Sequence, residues 1–157
     1  MKHVITILVE NRAGALSKIS GLFSRRGFNI ESLAVGVTED DRISRMTAVV
    51  DCDETTVVQV EKQLNKLIDT IKVRVLREGE YLARELTLVS MRCSVRQRAD
   101  LMKTAALMNA RIVDVTPNAM TLEYTGTTES TDALIALLRP FGIRELVRTG
   151  VSAIEKG

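Results

Sequence analysis

Apolar positions change period along this chain, and the changes mark out its elements. Val4-Ile5-Thr6-Ile7-Leu8-Val9 is apolar on both faces of an extended segment, the pattern of a strand buried on two sides. Asn11 ends that strand and is a candidate helix N-cap. From Gly14 the period becomes helical, with Leu16, Ile19, Leu22 and Phe23 recurring through ALSKISGLFSRR. Arg25 and Arg26 suit a helix C-terminus, and Gly27 can supply a left-handed stop. Phe28 to Val37 is the second predicted strand, Glu39-Asp40-Asp41 a polar turn, and Ile43 to Val50 a β-branched third strand. Asp53 or Thr55 can cap a helix with Val57, Val60, Leu64, Leu67 and Ile68 on one stripe. Ile71, Val73 and Val75 then alternate with the period of a fourth strand.

The order β-α-β-β-α-β is the ferredoxin-like arrangement, and it occurs twice. Leu86, Leu88 and Ser90 alternate with Thr87, Val89 and Met91. A helix follows over Arg98 to Asn109, with Leu101, Ala105 and Met108 inward. Ile112 to Val115 and Met120 to Tyr124 flank the turn Thr116-Pro117-Asn118. Thr131 or Asp132 starts a helix carrying Leu134, Leu137, Leu138 and Phe141, with Pro140 as its stop, and Gly142 to Ile154 is the last strand. The predicted fold class is α+β: two tandem ferredoxin-like βαββαβ domains, residues 1–79 and 80–157, with antiparallel sheets and helices on one face. They are joined by the short charged linker Arg77-Glu78-Gly79-Glu80. Strands apolar on both faces need a cover on the second face, and another subunit or a larger partner is the economical one.

Composition narrows the function by exclusion. Residues 1–79 hold 12 basic and 11 acidic side chains, and residues 80–157 hold 10 and 9. Neither half has the concentrated positive field of a nucleic-acid binder. Aromatic residues are 3% and Trp is absent, so base-stacking platforms are scarce. A catalytic triad would have to use the single histidine, His3. Cys52 and Cys93 form no CxxC, so no zinc knuckle is expected. Without a signal-peptide pattern they read as reduced thiols of a cytoplasmic protein. The apolar run before Glu10 is too short for a membrane span. Asp51, Asp53 and Glu54 lack EF-hand spacing and read as strand-end and helix-start acids. Arg92, Arg96 and Arg98 read as a solvated basic group.

The informative local feature is Glu10-Asn11-Arg12-Ala13-Gly14-Ala15-Leu16, between a buried strand and a helix. A helix N-terminus offers free backbone N–H groups to a carboxylate. Gly14 lets a ligand approach the backbone, and the Asn11 carbonyl can accept from an ammonium group. A carboxylate site beside an amide acceptor suits a free α-amino acid. The same residues also read as a capped helix start with a permissive turn, and the pattern alone leaves both open.

The run ENRAGALSKISGLFSRRGFNIESLAVGVTEDDRISRMT resembles the regulatory small subunit of acetohydroxyacid synthase (acetolactate synthase), whose N-terminal region is an ACT domain. The resemblance continues through Gln63-Leu64-Asn65-Lys66-Leu67, Glu85-Leu86 and Ile112-Val113-Asp114-Val115-Thr116-Pro117 to Arg148-Thr149-Gly150-Val151. It implies a non-catalytic chain, with no catalytic or metal-binding residues and no cofactor of its own. Such a chain binds and activates a separate catalytic subunit and confers feedback inhibition by valine in branched-chain amino-acid biosynthesis. Leucine and isoleucine are alternative effectors. Thiamine diphosphate, magnesium and FAD belong to the catalytic subunit. Residues 1–79 would bind effector and dimerise, and residues 80–157 would form the small subunit's C-terminal domain. By resemblance the effector lies between two subunits of a homodimer. Asn11, Gly14, Ala15 and Leu16 come from one chain, and Asn29 and Ile30 from the other. Asn11 and Asn29 hold its ammonium, Gly14 to Leu16 its carboxylate, and Ile30 its aliphatic side chain. The chain lacks GxGxxG, Walker A and thiamine-diphosphate signatures, which fits a regulatory role. A stand-alone ACT-type amino-acid sensor acting on another partner is the competing reading.

Overall fold

The computed structural model describes residues 1–26 and 29–157. The chain divides into two units, Met1–Ala83 with Val151–Gly157, and Arg84–Gly150. Each contains a βαββαβ arrangement with both helices on one face of an antiparallel sheet.

In the first unit β1 (Lys2–Glu10), α1 (Ala15–Arg25), β2 (Ile30–Val37), β3 (Ile43–Asp51), α2 (Glu54–Asn65) and β4 (Thr70–Leu76) follow in order. The sheet order is β2-β3-β1-β4. Alternation along β1 sends Ile5, Ile7 and Val9 to the helices, where Ile19, Leu22 and Phe23 of α1 and Val57, Val60 and Leu64 of α2 meet them. Asp53 caps α2 by accepting from the Thr56 N–H at 2.7 Å, and this hydrogen bond holds its carboxyl below the usual range. The α2 stripe stops before Ile68, which is 89% exposed, because the helix ends at Asn65. The strand expected from Phe28 begins at Ile30 among the described residues; Gly27 and Phe28 lie outside them.

In the second unit β5 (Tyr81–Arg92), α3 (Arg98–Leu107), β6 (Arg111–Thr116), β7 (Ala119–Gly126), α4 (Thr128–Leu138) and β8 (Ile143–Arg148) repeat the plan, with sheet order β6-β7-β5-β8. Val89, Met91 and Leu122 pack on Leu101 and Ala105 of α3 and Leu134 and Leu138 of α4. α4 starts earlier than Thr131 or Asp132. Thr127 is the cap, its hydroxyl accepting from the Ser130 N–H at 3.2 Å. Thr127→Ala removes that acceptor and costs about 1 kcal/mol, read as a lower urea midpoint for this unit. Arg148 bridges Glu85 at 2.6 Å and Asp132 at 2.8 Å, and the Glu85 side chain is only 3% exposed.

The stretch predicted as one last strand, Gly142 to Ile154, is two. β8 ends at Arg148, Gly150 turns at φ 86°, and β9 (Ser152–Glu155) follows. That break sends residues 151–157 back to the first unit. There Val151 and Ala153, with Tyr81 and Ala83, cover Val4, Val49 and Leu76 on the sheet face turned away from α1 and α2. The Val151 N–H donates to Ser32 Oγ at 2.7 Å and the Ala153 N–H to Thr47 Oγ1 at 3.3 Å. The cover expected from another subunit is thus supplied, over this part of the face, by the chain's own C-terminal segment. A boundary drawn between residues 79 and 80 does not separate the two units, since residues 80–83 and 151–157 pack with the first.

Candidate functional site

The loop between β1 and α1 is built around a left-handed glycine. Gly14 is the N-cap of α1 with φ 88° and ψ −11°, and no side chain caps the helix. Asn11 is therefore not the cap. Its own N–H donates to the Arg42 carbonyl at 2.7 Å, extending the β1–β3 ladder by one bond, and its Nδ2 donates to the Asp41 carbonyl at 2.9 Å. With the amide nitrogen tied down, Oδ1 is the side-chain atom left to accept. The Ala15 N–H makes a long bond to the Arg12 carbonyl at 3.3 Å. The N–H groups of Gly14, Leu16 and Ser17 have no partner among the described residues. An αL glycine, an uncapped helix start and a fixed amide carbonyl make a cradle suited to a carboxylate with an ammonium beside it.

The cradle has a charged base that sequence reasoning missed. The Asp69 side chain, 10% exposed, pairs with Lys18 at 3.2 Å and Arg12 at 3.8 Å, and Arg12 also pairs with Glu10 at 2.9 Å. The Asp69 carbonyl accepts from the Glu10 N–H at 2.8 Å. Asp69 thus ties the start of β4 to the end of β1 and folds Arg12 back along the loop. Nothing local signals this, because Asp69 stands 51 residues from Lys18 and only the sheet order brings them together.

The structure does not bring the two halves of the expected site together in one chain. Ile30 pairs with Val50, which pairs with His3 near the start of β1. Asn11 lies eight residues further along, roughly 27 Å at strand rise. Asn29 is exposed immediately before β2, and Ile30 is half-buried against the first unit's core. β2 is an edge strand carrying exposed Val35 and Val37, and Leu16 at the start of α1 is exposed too. Asn11, Gly14, Ala15 and Leu16 lie together at one end of the sheet, and Asn29 with Ile30 at the opposite end.

The weaker candidates are accounted for by local structure. Asp51 pairs with the N-terminal ammonium at 2.7 Å, and this contact lowers its carboxyl pKa. His3 is buried, with Nε2 3.1 Å from the Cys52 carbonyl. Arg98 reaches the carbonyls of Thr116 and Pro117 at 3.4 and 3.5 Å. No described helix is long and apolar enough to cross a membrane.

Comparison with known proteins covers both units. Residues 5–72 match the family described as AHAS small subunit-like ACT domain, and residues 84–157 that described as small subunit of acetolactate synthase. A probable acetolactate synthase small subunit of Archaeoglobus fulgidus is 48% identical over 157 residues, all of this chain and 98% of that one. The acetolactate synthase small subunit of Mycolicibacterium smegmatis is 44% identical, covering 99% of this chain and 91% of its own. The crystal structure of the acetolactate synthase small subunit from Thermotoga maritima superposes with a TM-score of 0.93 at 31% identity, covering 100% of this chain and 98% of that one.

Proposed function

The chain belongs to the family of acetolactate synthase small subunits, and from that premise we infer that it is a non-catalytic regulator. It binds and activates the thiamine-dependent catalytic subunit and makes that subunit sensitive to valine. The catalytic subunit supplies the thiamine diphosphate, magnesium and FAD. The observation that carries the effector reading is the separation of the half-sites. Asn11 to Leu16 and Asn29 with Ile30 lie at opposite ends of one sheet. A single effector can touch both sets only if a second copy supplies one of them. In a homodimer built through α1 and the β2 edge, the exposed Leu16, Val35 and Val37 are covered and two composite sites form.

Each site then reads a small aliphatic α-amino acid. The N–H groups at the start of α1 take its carboxylate, where the helix dipole is positive. Asn11 and Asn29 of different chains accept from its ammonium, and Ile30 meets its side chain. An effector held between two chains favours one mutual arrangement of the pair. Activity falls if the catalytic subunit is less active in that arrangement.

The test is reconstitution with a cognate catalytic subunit. Acetolactate formation from pyruvate should rise on adding this chain and fall again on titrating valine, with leucine and isoleucine as comparators. The chain alone, with thiamine diphosphate and magnesium, should form no acetolactate, and light scattering at micromolar concentration should give at least a dimer. A stable monomer, or activation indifferent to all three amino acids, would refute the composite effector site.

A further inference from the structure

The C-terminal segment covers only part of the outer face of the first sheet, and what it leaves open is cationic. Leu8 of β1 is flanked in register by Arg45 of β3 and Lys72 of β4, and Thr6 by Thr47 and Arg74. All of these side chains point away from α1 and α2, since Ile5, Ile7 and Val9 between them face the helices. Thr6, Leu8, Arg45, Lys72 and Arg74, together with Ile154 and Glu155 from β9, line a cavity of about 140 Å³. Thr6 is buried, Leu8 and Arg45 are half-buried, and Lys72 is exposed.

Charge in this cavity is unbalanced. Among the described residues the Arg74 side chain has one ion-pair partner, Glu155, at a loose 4.0 Å. The side chains of Arg45 and Lys72 make no hydrogen bond or ion pair among the described residues. Three cations gathered on neighbouring strands around a half-buried leucine repel one another. Both arginines and the lysine are donors only, and the Thr6 hydroxyl at the floor can add another. The single carboxylate present arrives on a segment that also roofs the cavity with Ile154.

We propose that this cavity is a binding site for a small multivalent oxyanion, one bearing a phosphate group or several carboxylates, and that Glu155 is its resident competitor. The ligand's oxygens meet Arg45 and Lys72 on either side of Leu8 and displace Glu155 from Arg74. The site lies on the face opposite the helices and uses none of the residues assigned to the amino-acid effector. It stands or falls independently of that assignment.

The sign of the Glu155 effect makes the test sharp. Calorimetric titration of the full chain with pyrophosphate and with citrate, at low ionic strength and without amino-acid effector, reads binding directly. Sodium chloride at matched ionic strength is the control. A dissociation constant on the order of 0.1–1 mM is expected for a three-cation site of this exposure. Glu155→Gln should tighten binding by about three- to tenfold, because it removes the internal carboxylate without shortening the side chain. Arg45→Gln with Lys72→Gln should weaken it by more than about tenfold, and Arg45→Lys with Lys72→Arg should retain it. Binding of pyrophosphate alone assigns the site to phosphate-bearing ligands, and binding of citrate alone to polycarboxylates. The proposal is overturned if neither anion binds at millimolar concentration. It is equally overturned if Glu155→Gln weakens binding, or if the doubly neutralised variant, shown folded by its thermal transition, binds like the parent.

Discussion

Deleting residues 151–157 should lower the unfolding free energy of the first unit by about 4–6 kcal/mol. Val151 and Ala153 are 6% and 5% exposed, and with Tyr81 and Ala83 they pack on Val4, Val49 and Leu76. Burying a side chain such as valine contributes about 1.5–3 kcal/mol, and the three apolar residues beneath lose cover at the same time. The bonds to Ser32 and Thr47 add about 1 kcal/mol each. A domain stable by about 5–15 kcal/mol is left marginal by such a loss. Urea unfolding followed by circular dichroism should show an early transition in the truncated chain, and amide exchange along β1 and β3 should accelerate selectively. Ala153→Asp should reproduce much of the effect with the chain at full length, by forcing a carboxylate into an apolar contact. An unchanged midpoint in both variants would mean that the segment only rests on the sheet.

This segment also shows where sequence reading stops. The two-sided apolarity of Val4 to Val9 states that the second face must be covered, and the structure agrees that part of it is. What covers it is not a local property. Ser152 to Glu155 carries no mark distinguishing a continuation of β8 from a separate strand, apart from Gly150, which allows the turn at φ 86°. The repeated βαββαβ plan was legible for the opposite reason. Period-two and helical stripes depend on neighbours within one element, so Ile5, Ile7 and Val9, or Leu134 and Leu138, announce their faces without tertiary information. Helix starts fall between these cases. Asp53 was legible as a cap because its hydrogen bond spans three residues. Thr127 is masked in the sequence because Thr131 and Asp132 offer the same chemistry a turn later. Asn11 looked like a cap, yet its amide is bound to Asp41, a partner thirty residues away. The loop between β1 and α1 was legible as a motif and its geometry was not. Asp69 beneath it was invisible, because a lone acid gains meaning only from the strand order that sets it against Lys18 and Arg12.

The largest functional effect is expected at Gly14. A β-carbon there meets nothing within 4 Å, so Gly14→Asp is not excluded by crowding. Its φ of 88° charges the variant about 1–2 kcal/mol of backbone strain, at the lower end because Asp and Asn visit this region more readily than other residues. The chain should therefore stay folded. The new carboxylate, however, can reach the open N–H groups of Leu16 and Ser17, the place the proposed site gives to the effector carboxylate. Valine affinity should fall by more than about a hundredfold, the loss of a charge-assisted anchor with like-charge repulsion added. Gly14→Asn carries the same strain without the charge and should bind valine better than Gly14→Asp. In the proposed site Asn29→Ala removes one acceptor of the ammonium and should cost about ten- to a hundredfold. Activation of the catalytic subunit should persist in each variant. Mixed dimers then separate a composite site from two independent ones. Pairing Gly14→Asp chains with Asn29→Ala chains puts both lesions in one site and leaves the other with Gly14 and Asn29 intact. Calorimetry on such mixed dimers should recover near-parental affinity at half the stoichiometry. No recovery would mean that Gly14 and Asn29 of the same chain serve one site, against the composite arrangement; parental binding in unmixed Asn29→Ala would place Asn29 outside the site, and parental binding in both unmixed variants would remove the site altogether.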